Sequence, residues 1–195
     1  MFRFTDKNLA KKIIKKLSVM GLNIRLMHAC GTHQDTLLKS GLVDIFDNVG
    51  VEIRQGPGCP VCVTPSSEIE EAIALAKSGL TITAFGDVMK VRGYKNSLFD
   101  MRGEGYNIEI VYSISDAIKF ATSKKNKEVV FLAVGFDTTA PPTASSLLGD
   151  LPENFYVLSN HKYFPPALDV LLSMGEIKLD GLIQPGHVSV ITGLS

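Results

Sequence analysis

Two cysteines separated by two residues are the most reactive feature of this sequence. Cys59 and Cys62 lie in the stretch GPGCPVCVTP. This spacing lets both sulfur atoms face one point, which suits a redox-active dithiol or half of a metal site. The following SEIE sequence, residues 67–70, predicts a capping box at a helix N-terminus, whose partial positive charge favours thiolate. Spacing alone does not choose between redox chemistry, metal binding and inert packing.

A third cysteine is followed by a histidine in the sequence CGTH. Cys30 and His33 can act as a thiolate and its activating imidazole, or as two ligands of one metal ion. A closed zinc site of Cys30, His33, Cys59 and Cys62 is one alternative. Nucleophilic catalysis by Cys30 has less support, because no third group that would orient the histidine is evident. We expect His28 to be a packed residue with satisfied hydrogen bonds.

Three further loops carry polar side chains that suit a binding site. Thr138 and Thr139 in GFDTTAPP follow an apolar run and offer hydroxyls and backbone N–H groups to an anion, although an ordinary threonine N-cap is the favoured interpretation. His187 in PGHVS is compatible with either a buried core histidine or a residue of the binding site. The GDVMKVRG loop, which contains Asp87, lacks the glycine spacing of a nucleotide site.

The elements that must position these loops follow a βαβ rhythm. Apolar runs such as NIRLMH, VGVEIR, LTITAF and VVFLAV alternate with helix-like stretches, and an amphipathic helix is predicted from Thr5 to Met20. The pattern indicates an α/β protein with two βαβ-type units, whose mostly parallel sheets are covered by helices on both faces. The loops with unusual residues follow the strands, so we expect them to converge on one cleft at the strand carboxyl ends.

A polar stretch at residues 122–128 is the best candidate for an internal boundary. It predicts a first α/β domain, 1–124, with the CGTH and GPGCPVC loops. The second domain, 125–195, would carry the GFDTTAP and PGHVS loops and looks incomplete.

Composition narrows the class of protein. The chain has 195 residues, and its 20 basic and 20 acidic residues cancel, so nucleic acid and anionic membranes are not expected partners. Its longest apolar runs are too short to span a bilayer. Three cysteines are too few for a secreted disulfide framework. We therefore expect a soluble, cytoplasmic protein.

Five motifs, taken in order, are specific enough to indicate a family. The motifs CGTH, GPGCPVCVTP, FGDVMKV, GFDTTAP and PGHVS, between residues 27 and 193, resemble those of the hydrogenase maturation protein HypD family. The resemblance implies an assembly scaffold, rather than a conventional turnover enzyme, for the Fe(CN)2CO centre of [NiFe]-hydrogenase. It also implies as partners the small chaperone HypC and the cyanide-donating proteins HypE and HypF.

The resemblance further implies roles for single residues. Cys30 matches the family's iron ligand, and Cys59 with Cys62 matches its redox-active dithiol. A ferrous ion with strong-field diatomic ligands suits a soft thiolate, and a dithiol can supply electrons. The positions that would line the same cleft are His33, Asp87, Asp137, Thr138, Thr139, His187 and Ser189.

The chain also departs from the family pattern. Family members usually continue to about twice this length and carry cysteines for a [4Fe–4S] cluster, which three cysteines cannot bind in addition to their other roles. His28 and Ala29 stand where the family has an acidic residue before CGTH. Two alternatives remain: a metal-free thiol–disulfide oxidoreductase and a zinc-stabilised binding module.

Overall fold

The computed structural model describes residues 6–193 and shows strands alternating with helices, as the sequence predicts. Among these residues, none of the helices has both the length and the apolar composition needed to cross a bilayer. A 3₁₀ turn occupies Val88–Lys90. The strands are β1 (Ile24–His28), β2 (Val51–Gln55), β3 (Thr81–Phe85), β4 (Ile108–Val111), β5 (Val129–Gly135), β6 (Phe155–His161) and β7 (Gly181–Ile183). The helices are α1 (Lys7–Ser18), α2 (Gly31–Lys39), α3 (Leu42–Asp47), α4 (Ser66–Lys77), α5 (Leu98–Gly103), α6 (Ile114–Ser123), α7 (Ala140–Leu147), α8 (Phe164–Ser173) and α9 (Gly186–Thr192).

The strands form two parallel sheets. One has the order β2-β1-β7 and the other the order β4-β3-β5-β6. Each sheet belongs to one compact unit: the first unit contains the described residues 6–58 and 165–193, and the second contains 59–164. The predicted α/β class, with two parallel sheets flanked by helices, is confirmed.

The division into units differs from the predicted boundary after residue 124. The polar stretch 122–128 lies inside the second unit, where it connects α6 to β5. The side-chain amide of Asn154 donates to the carbonyls of Ala121 and Lys124 at 3.1 Å and of Lys127 at 2.7 Å. In addition, β5 pairs with β3, so strands from both sides of the predicted boundary share a sheet. The polar composition marks an exposed turn rather than a linker.

The core of the second unit is built on both faces of β5, all of whose residues are buried. Side chains of a strand alternate between faces, so Val130 and Leu132 pack with α4 while Phe131 and Ala133 pack with α6. A strand covered on both sides reads as the continuous apolar run VVFLAV. This core fixes the strand ends from which the loops of the second unit emerge.

Helix α1 of the first unit is capped by Asp6, whose carboxylate accepts from the backbone N–H groups of Asn8 and Leu9 at 2.9 and 3.0 Å. The sequence predicted a helix from Thr5 to Met20, and residue 5 lies outside the described part of the chain. The amphipathic pattern is present, but α1 buries none of its residues, and Leu9 and Ile13 are about half exposed.

Two glycine turns approach closely at the carboxyl ends of β1 and β2. The strands pair in the register that aligns His28 with Gln55, and the next amide, of Gly56, donates to the carbonyl of His28 at 2.8 Å. Beyond it, a Cβ placed on Gly58 would lie 2.8 Å from the backbone nitrogen of Gly31. Backbone atoms cannot move aside as a flexible side chain can, so this position requires glycine.

We predict that Gly58→Ala lowers the free energy of unfolding by about 1 to 3 kcal/mol, because its Cβ must displace the turn around Gly31. Urea denaturation measures the effect. Gly31→Ala is the matched control: its Cβ would meet only the Gly58 carbonyl oxygen at 3.8 Å, an ordinary contact. The control should change stability by about 0.5 kcal/mol or less. Equal denaturation midpoints for the two variants would contradict this account.

Candidate functional site

Cys30 occupies the N-cap position of α2, two residues after β1 ends. Its carbonyl accepts from the backbone N–H groups of His33 and Gln34 at 3.1 and 3.3 Å, and its backbone is extended. The thiol is buried, and its Sγ lies 2.9 Å from the hydroxyl oxygen of Thr32. The sulfur therefore lies at a helix N-terminus, where the helix dipole favours negative charge.

Two opposing effects act on the ionisation of Cys30. Burial alone raises the pKa of the thiol. The Thr32 hydroxyl and the backbone N–H groups of Thr32 and His33 donate to the sulfur and outweigh burial, so the net pKa of Cys30 is lowered. The Cys30 thiol is thus shielded from solvent, yet it ionises more readily than a free cysteine.

The two histidines around Cys30 differ from expectation. His28 is fully buried, and its Nε2 lies 2.8 Å from Gln34 Oε1, so the ring donates from Nε2. His28 is thus a packed residue, as expected, but its Nδ1 has no hydrogen-bond partner among the described residues, so its hydrogen bonds are only partly satisfied. His33 Nδ1 is likewise buried without a partner among residues 6–193. The two rings contact edge to face, with centroids 5.8 Å apart.

Thr32 is a site residue that the sequence reasoning missed. In the described structure the hydroxyl of Thr32, and not the imidazole of His33, is the side chain that hydrogen-bonds the Cys30 thiol. The signal was present in the sequence: a helix starting after Cys30 puts the second residue of its first turn beside the capping side chain.

Cys59 and Cys62 lie on a tight turn at the start of the second unit. The backbone N–H of Cys62 donates to Cys59 Sγ at 3.3 Å. Thr64 holds this turn, since its hydroxyl donates to the Pro60 carbonyl at 2.9 Å, and Val61 packs against the core of the unit. Both cysteines are free thiols, with Cys59 half-buried and Cys62 exposed. The turn brings the two sulfur atoms together, as a dithiol requires.

The two thiols are not equivalent. A hydrogen bond with the Cys59 side chain raises the pKa of Cys62, and electrostatic repulsion from Cys59 raises it further by a smaller amount. The pKa of Cys62 is therefore higher than that of a free cysteine, and Cys62 keeps its proton to higher pH. In a pair coupled in this way, ionisation of one thiol disfavours ionisation of the other.

The predicted capping box at residues 67–70 is wrong. Helix α4 begins one residue earlier, at Ser66, with Pro65 as N-cap and no capping side chain. The carboxylate of Glu70 instead accepts from the backbone N–H of Tyr94 at 2.6 Å, and Glu68 pairs with Lys162. These contacts with distant parts of the chain replace the local cap.

The GFDTT loop follows β5 and leads into α7. Thr139 occupies the N-cap position of α7, as expected. However, its side chain makes no capping hydrogen bond. Asp137 Oδ2 accepts from the backbone N–H of Phe164 at 3.3 Å, and Thr138 is half-buried.

The remaining predicted positions lie at the ends of β3 and β7. Asp87 is exposed and accepts from the N–H of Val88 at 2.9 Å at the start of the 3₁₀ turn. His187 is exposed on α9, which rules out a core histidine, and Ser189 is half-buried on the same helix.

Each unit gathers its own set of predicted residues. In the first unit β1 pairs with both β2 and β7, so the turns carrying Cys30, Gly58 and His187 follow strands that end at one edge. In the second unit the loops with Asp87 and Asp137 follow β3 and β5, which are neighbours. The convergence of all five loops on one cleft stays a prediction.

His161 is a second residue that the sequence reasoning missed. It ends β6, with Nδ1 3.1 Å from the Ser159 hydroxyl and Nε2 3.5 Å from the Thr143 hydroxyl. Burial, and then the charge of Lys162, lower the pKa of His161, so the ring is neutral near pH 7. A histidine at a strand carboxyl end follows the same positional rule as the other loops.

Known proteins are similar to this chain over most or all of its length. The HypD family model, described as "Hydrogenase formation hypA family", matches residues 5–195. A putative hydrogenase expression/formation protein of Methanocaldococcus jannaschii is 43% identical over 201 residues, covering 100% of this chain and 55% of the relative. The hydrogenase maturation factors HypD of Rhodobacter capsulatus and Escherichia coli K12 are 36% and 38% identical, over 98% and 87% of this chain and 54% and 46% of the respective relative. The chain spans about half the length of the curated relatives it matches. It belongs to the HypD family of hydrogenase formation proteins.

Proposed function

We propose that this chain acts in hydrogenase maturation, as a scaffold on which the Fe(CN)2CO centre of [NiFe]-hydrogenase is assembled. The iron centre is the substrate of this process. The observation that carries the proposal is the Cys30 thiol, which has a lowered pKa at the N-terminus of α2. The names of the relatives, which are hydrogenase maturation factors, support the same process.

Cys30 has the chemistry that a ferrous centre with strong-field ligands needs from a protein. A thiolate is a soft ligand, and the donors from Thr32 and His33 stabilise the anion before iron arrives. A single protein thiolate leaves the other coordination positions to the diatomic ligands and to a partner protein. In this proposal the partners are the chaperone HypC and the cyanide-donating proteins HypE and HypF.

Cys59 and Cys62 serve in this proposal as an electron source. Their oxidation to a disulfide would release two electrons and two protons, which the cyanide donor would take up as it releases cyanide to the iron centre. The contact between the Cys62 amide and Cys59 Sγ supports a pair that closes without a large movement. It equally supports a second candidate, a metal-free thiol–disulfide oxidoreductase. We propose no [4Fe–4S] cluster, because the chain has three cysteines.

The zinc alternative has less support within either unit. Among the described residues, no group of three or more His, Cys, Asp or Glu side chains is arranged to hold a metal ion. A closed structural zinc site needs four such ligands.

We predict that mild oxidation joins Cys59 and Cys62 in a disulfide, because the turn already holds the two thiols together. Thiol alkylation followed by mass spectrometry measures it. Cys30 is the internal control and should remain alkylatable under denaturing conditions. Full alkylation of all three cysteines after oxidation would remove the basis of the redox assignment.

We predict that Thr32→Val shifts the pH profile of Cys30 alkylation to higher pH. The Thr32 hydroxyl stabilises the thiolate and lowers the Cys30 pKa, so its loss must raise that pKa. The profile is recorded in a Cys59→Ser/Cys62→Ser background, so that a single thiol reacts. Thr36→Val is the control, because the Thr36 hydroxyl donates to the Thr32 carbonyl and not to the sulfur. The account fails on this point if both variants keep the wild-type midpoint.

We predict that Cys30→Ser abolishes loading of the iron centre while the fold survives. A serine hydroxyl is nearly isosteric with the thiol but is not deprotonated near neutral pH, so it cannot act as a soft thiolate ligand. The measurement is the infrared spectrum of bound cyanide and carbon monoxide, after co-expression with the maturation partners.

Two controls accompany that spectrum. A melting curve should change little, and the Cys59–Cys62 disulfide should still form on oxidation. Cyanide and carbon monoxide bands that persist in Cys30→Ser would refute the ligand assignment. A collapsed melting temperature would favour the zinc alternative, since a lost structural ligand unfolds a zinc site.

A further inference from the structure

A serine, a histidine and two threonines form a hydrogen-bond network at the end of β6 that the proposed function does not use. His161 Nδ1 lies 3.1 Å from the Ser159 hydroxyl oxygen, and His161 Nε2 lies 3.5 Å from the Thr143 hydroxyl oxygen. The Thr143 hydroxyl donates to the Thr139 carbonyl at 3.0 Å. All four residues belong to the second unit, on β6 and at the start of α7.

The hydrogen bonds around His161 determine which nitrogen of its ring carries the proton. A threonine hydroxyl has a single proton, and Thr143 gives it to the Thr139 carbonyl, the nearer of its two partners. The Thr143 oxygen therefore accepts from His161 Nε2–H, which leaves a lone pair on Nδ1. That lone pair accepts from the Ser159 hydroxyl. A neutral ring in this tautomer is placed to take the serine proton.

Ser159 differs from other serines on the surface of the protein. Its side chain is exposed and hydrogen-bonds to an imidazole. Elsewhere the serine hydroxyl donates to a backbone carbonyl three or four residues earlier, as it does in Ser18, Ser78, Ser123, Ser146 and Ser173. A carbonyl cannot take a proton from a hydroxyl, whereas an imidazole can. A hydroxyl beside a base that a third group orients is the arrangement that activates a serine nucleophile.

The backbone of β6 places hydrogen-bond donors beside this hydroxyl. Strand β6 is the outer strand of the β4-β3-β5-β6 sheet. In a parallel pair, every second residue directs its backbone groups to the neighbouring strand. In β6 these are the even-numbered residues, because the Asn154 carbonyl and the Lys162 N–H on either side of them both bond to β5. The N–H groups of Ser159 and His161 therefore point to the outer edge, where no strand of residues 6–193 pairs with them.

We propose that Ser159 is the nucleophile of an acyl-transfer site at the outer edge of β6, with His161 as its general base. Thr143 is a positioning residue, because it orients the imidazole and does not touch the substrate. The substrate is a carboxylic ester or another activated acyl group, which an exposed strand edge can accept without a deep pocket. This activity uses none of the three cysteines and is separate from the assembly of the iron centre.

The reaction follows from the position of each proton. The Ser159 oxygen attacks the acyl carbon while its proton passes to His161 Nδ1. The oxyanion that forms accepts from the outward N–H groups of Ser159 and His161. As this intermediate collapses, the bond from carbon to the leaving alcohol breaks, and the alcohol takes the proton from Nδ1. Water then attacks the acyl-serine with the same base, which releases the acid and restores the hydroxyl.

A fluorophosphonate probe tests the proposal, because it phosphonylates activated serine hydroxyls with loss of fluoride. Mass spectrometry of proteolytic peptides locates and quantifies the adduct over time. We expect a single adduct, at Ser159, that is absent from Ser159→Ala. The rate of labelling should fall about tenfold or more in His161→Gln, because no base then takes the serine proton.

The Thr143 position supplies a pair of variants that separates orientation of the ring from stability. Thr143→Ser keeps the hydroxyl and should be labelled at the wild-type rate, whereas Thr143→Val removes it and should be labelled about threefold or more slowly. Ser123→Ala is the control, since Ser123 is an exposed serine of the second unit whose hydroxyl donates to the Phe120 carbonyl. Its labelling should equal that of the wild type, and melting curves check that every variant is folded.

Three results would overturn the proposal. The first is the absence of an adduct at Ser159, which would leave the network as a structural set of hydrogen bonds. The second is a labelling rate that does not change in His161→Gln. The third is an equal rate in Thr143→Ser and Thr143→Val, which applies even where His161→Gln does not fold.

Discussion

The close approach of two backbone turns, at Gly31 and Gly58, is the constraint on which the candidate site depends. Parallel pairing of β1 with β2 aligns His28 with Gln55, so the two chains leave the sheet side by side. Gly56 then bonds to His28, and Gly58 comes too near Gly31 for any Cβ. This contact fixes where the chain turns into α2, and therefore fixes Cys30 as the residue that caps that helix.

The environments of the three cysteines explain how one chain can hold thiols of different character. Cys30 is buried, and hydrogen-bond donors surround its sulfur, which is the arrangement that stabilises an anionic ligand. Cys62 is exposed, and its neighbour Cys59 raises its pKa. A ligand must stay ionised and sheltered, whereas a redox pair must be reachable by its reaction partner. In the proposed function, local hydrogen bonding separates these two roles without any difference in residue type.

The sequence was informative wherever local pattern decides structure. The alternation of strands and helices, the parallel sheets and the strand-end positions of the five motif loops are all visible in residue order. Contacts between distant residues decided the rest. The predicted capping box at Ser67 does not form, because the Glu70 carboxylate instead accepts from the backbone N–H of Tyr94. The structure has no domain boundary after residue 124, because β5 pairs with β3 and the Asn154 side chain donates three hydrogen bonds to the connecting turn. The bond of His28 to Gln34 depends on the turn into α2, which residue types alone do not reveal.

The central claim is that Cys30 alone supplies the protein thiolate to iron, while Cys59 and Cys62 act only as a dithiol. Iron K-edge X-ray absorption on the Cys59→Ser/Cys62→Ser variant, loaded with ferrous iron in vitro so that no electrons from the dithiol are needed, tests this most directly, because the spectrum reports sulfur atoms bound to iron. The account predicts that sulfur scattering from one protein thiolate remains as strong as in the wild type. Loss of that sulfur signal in the double variant would contradict it.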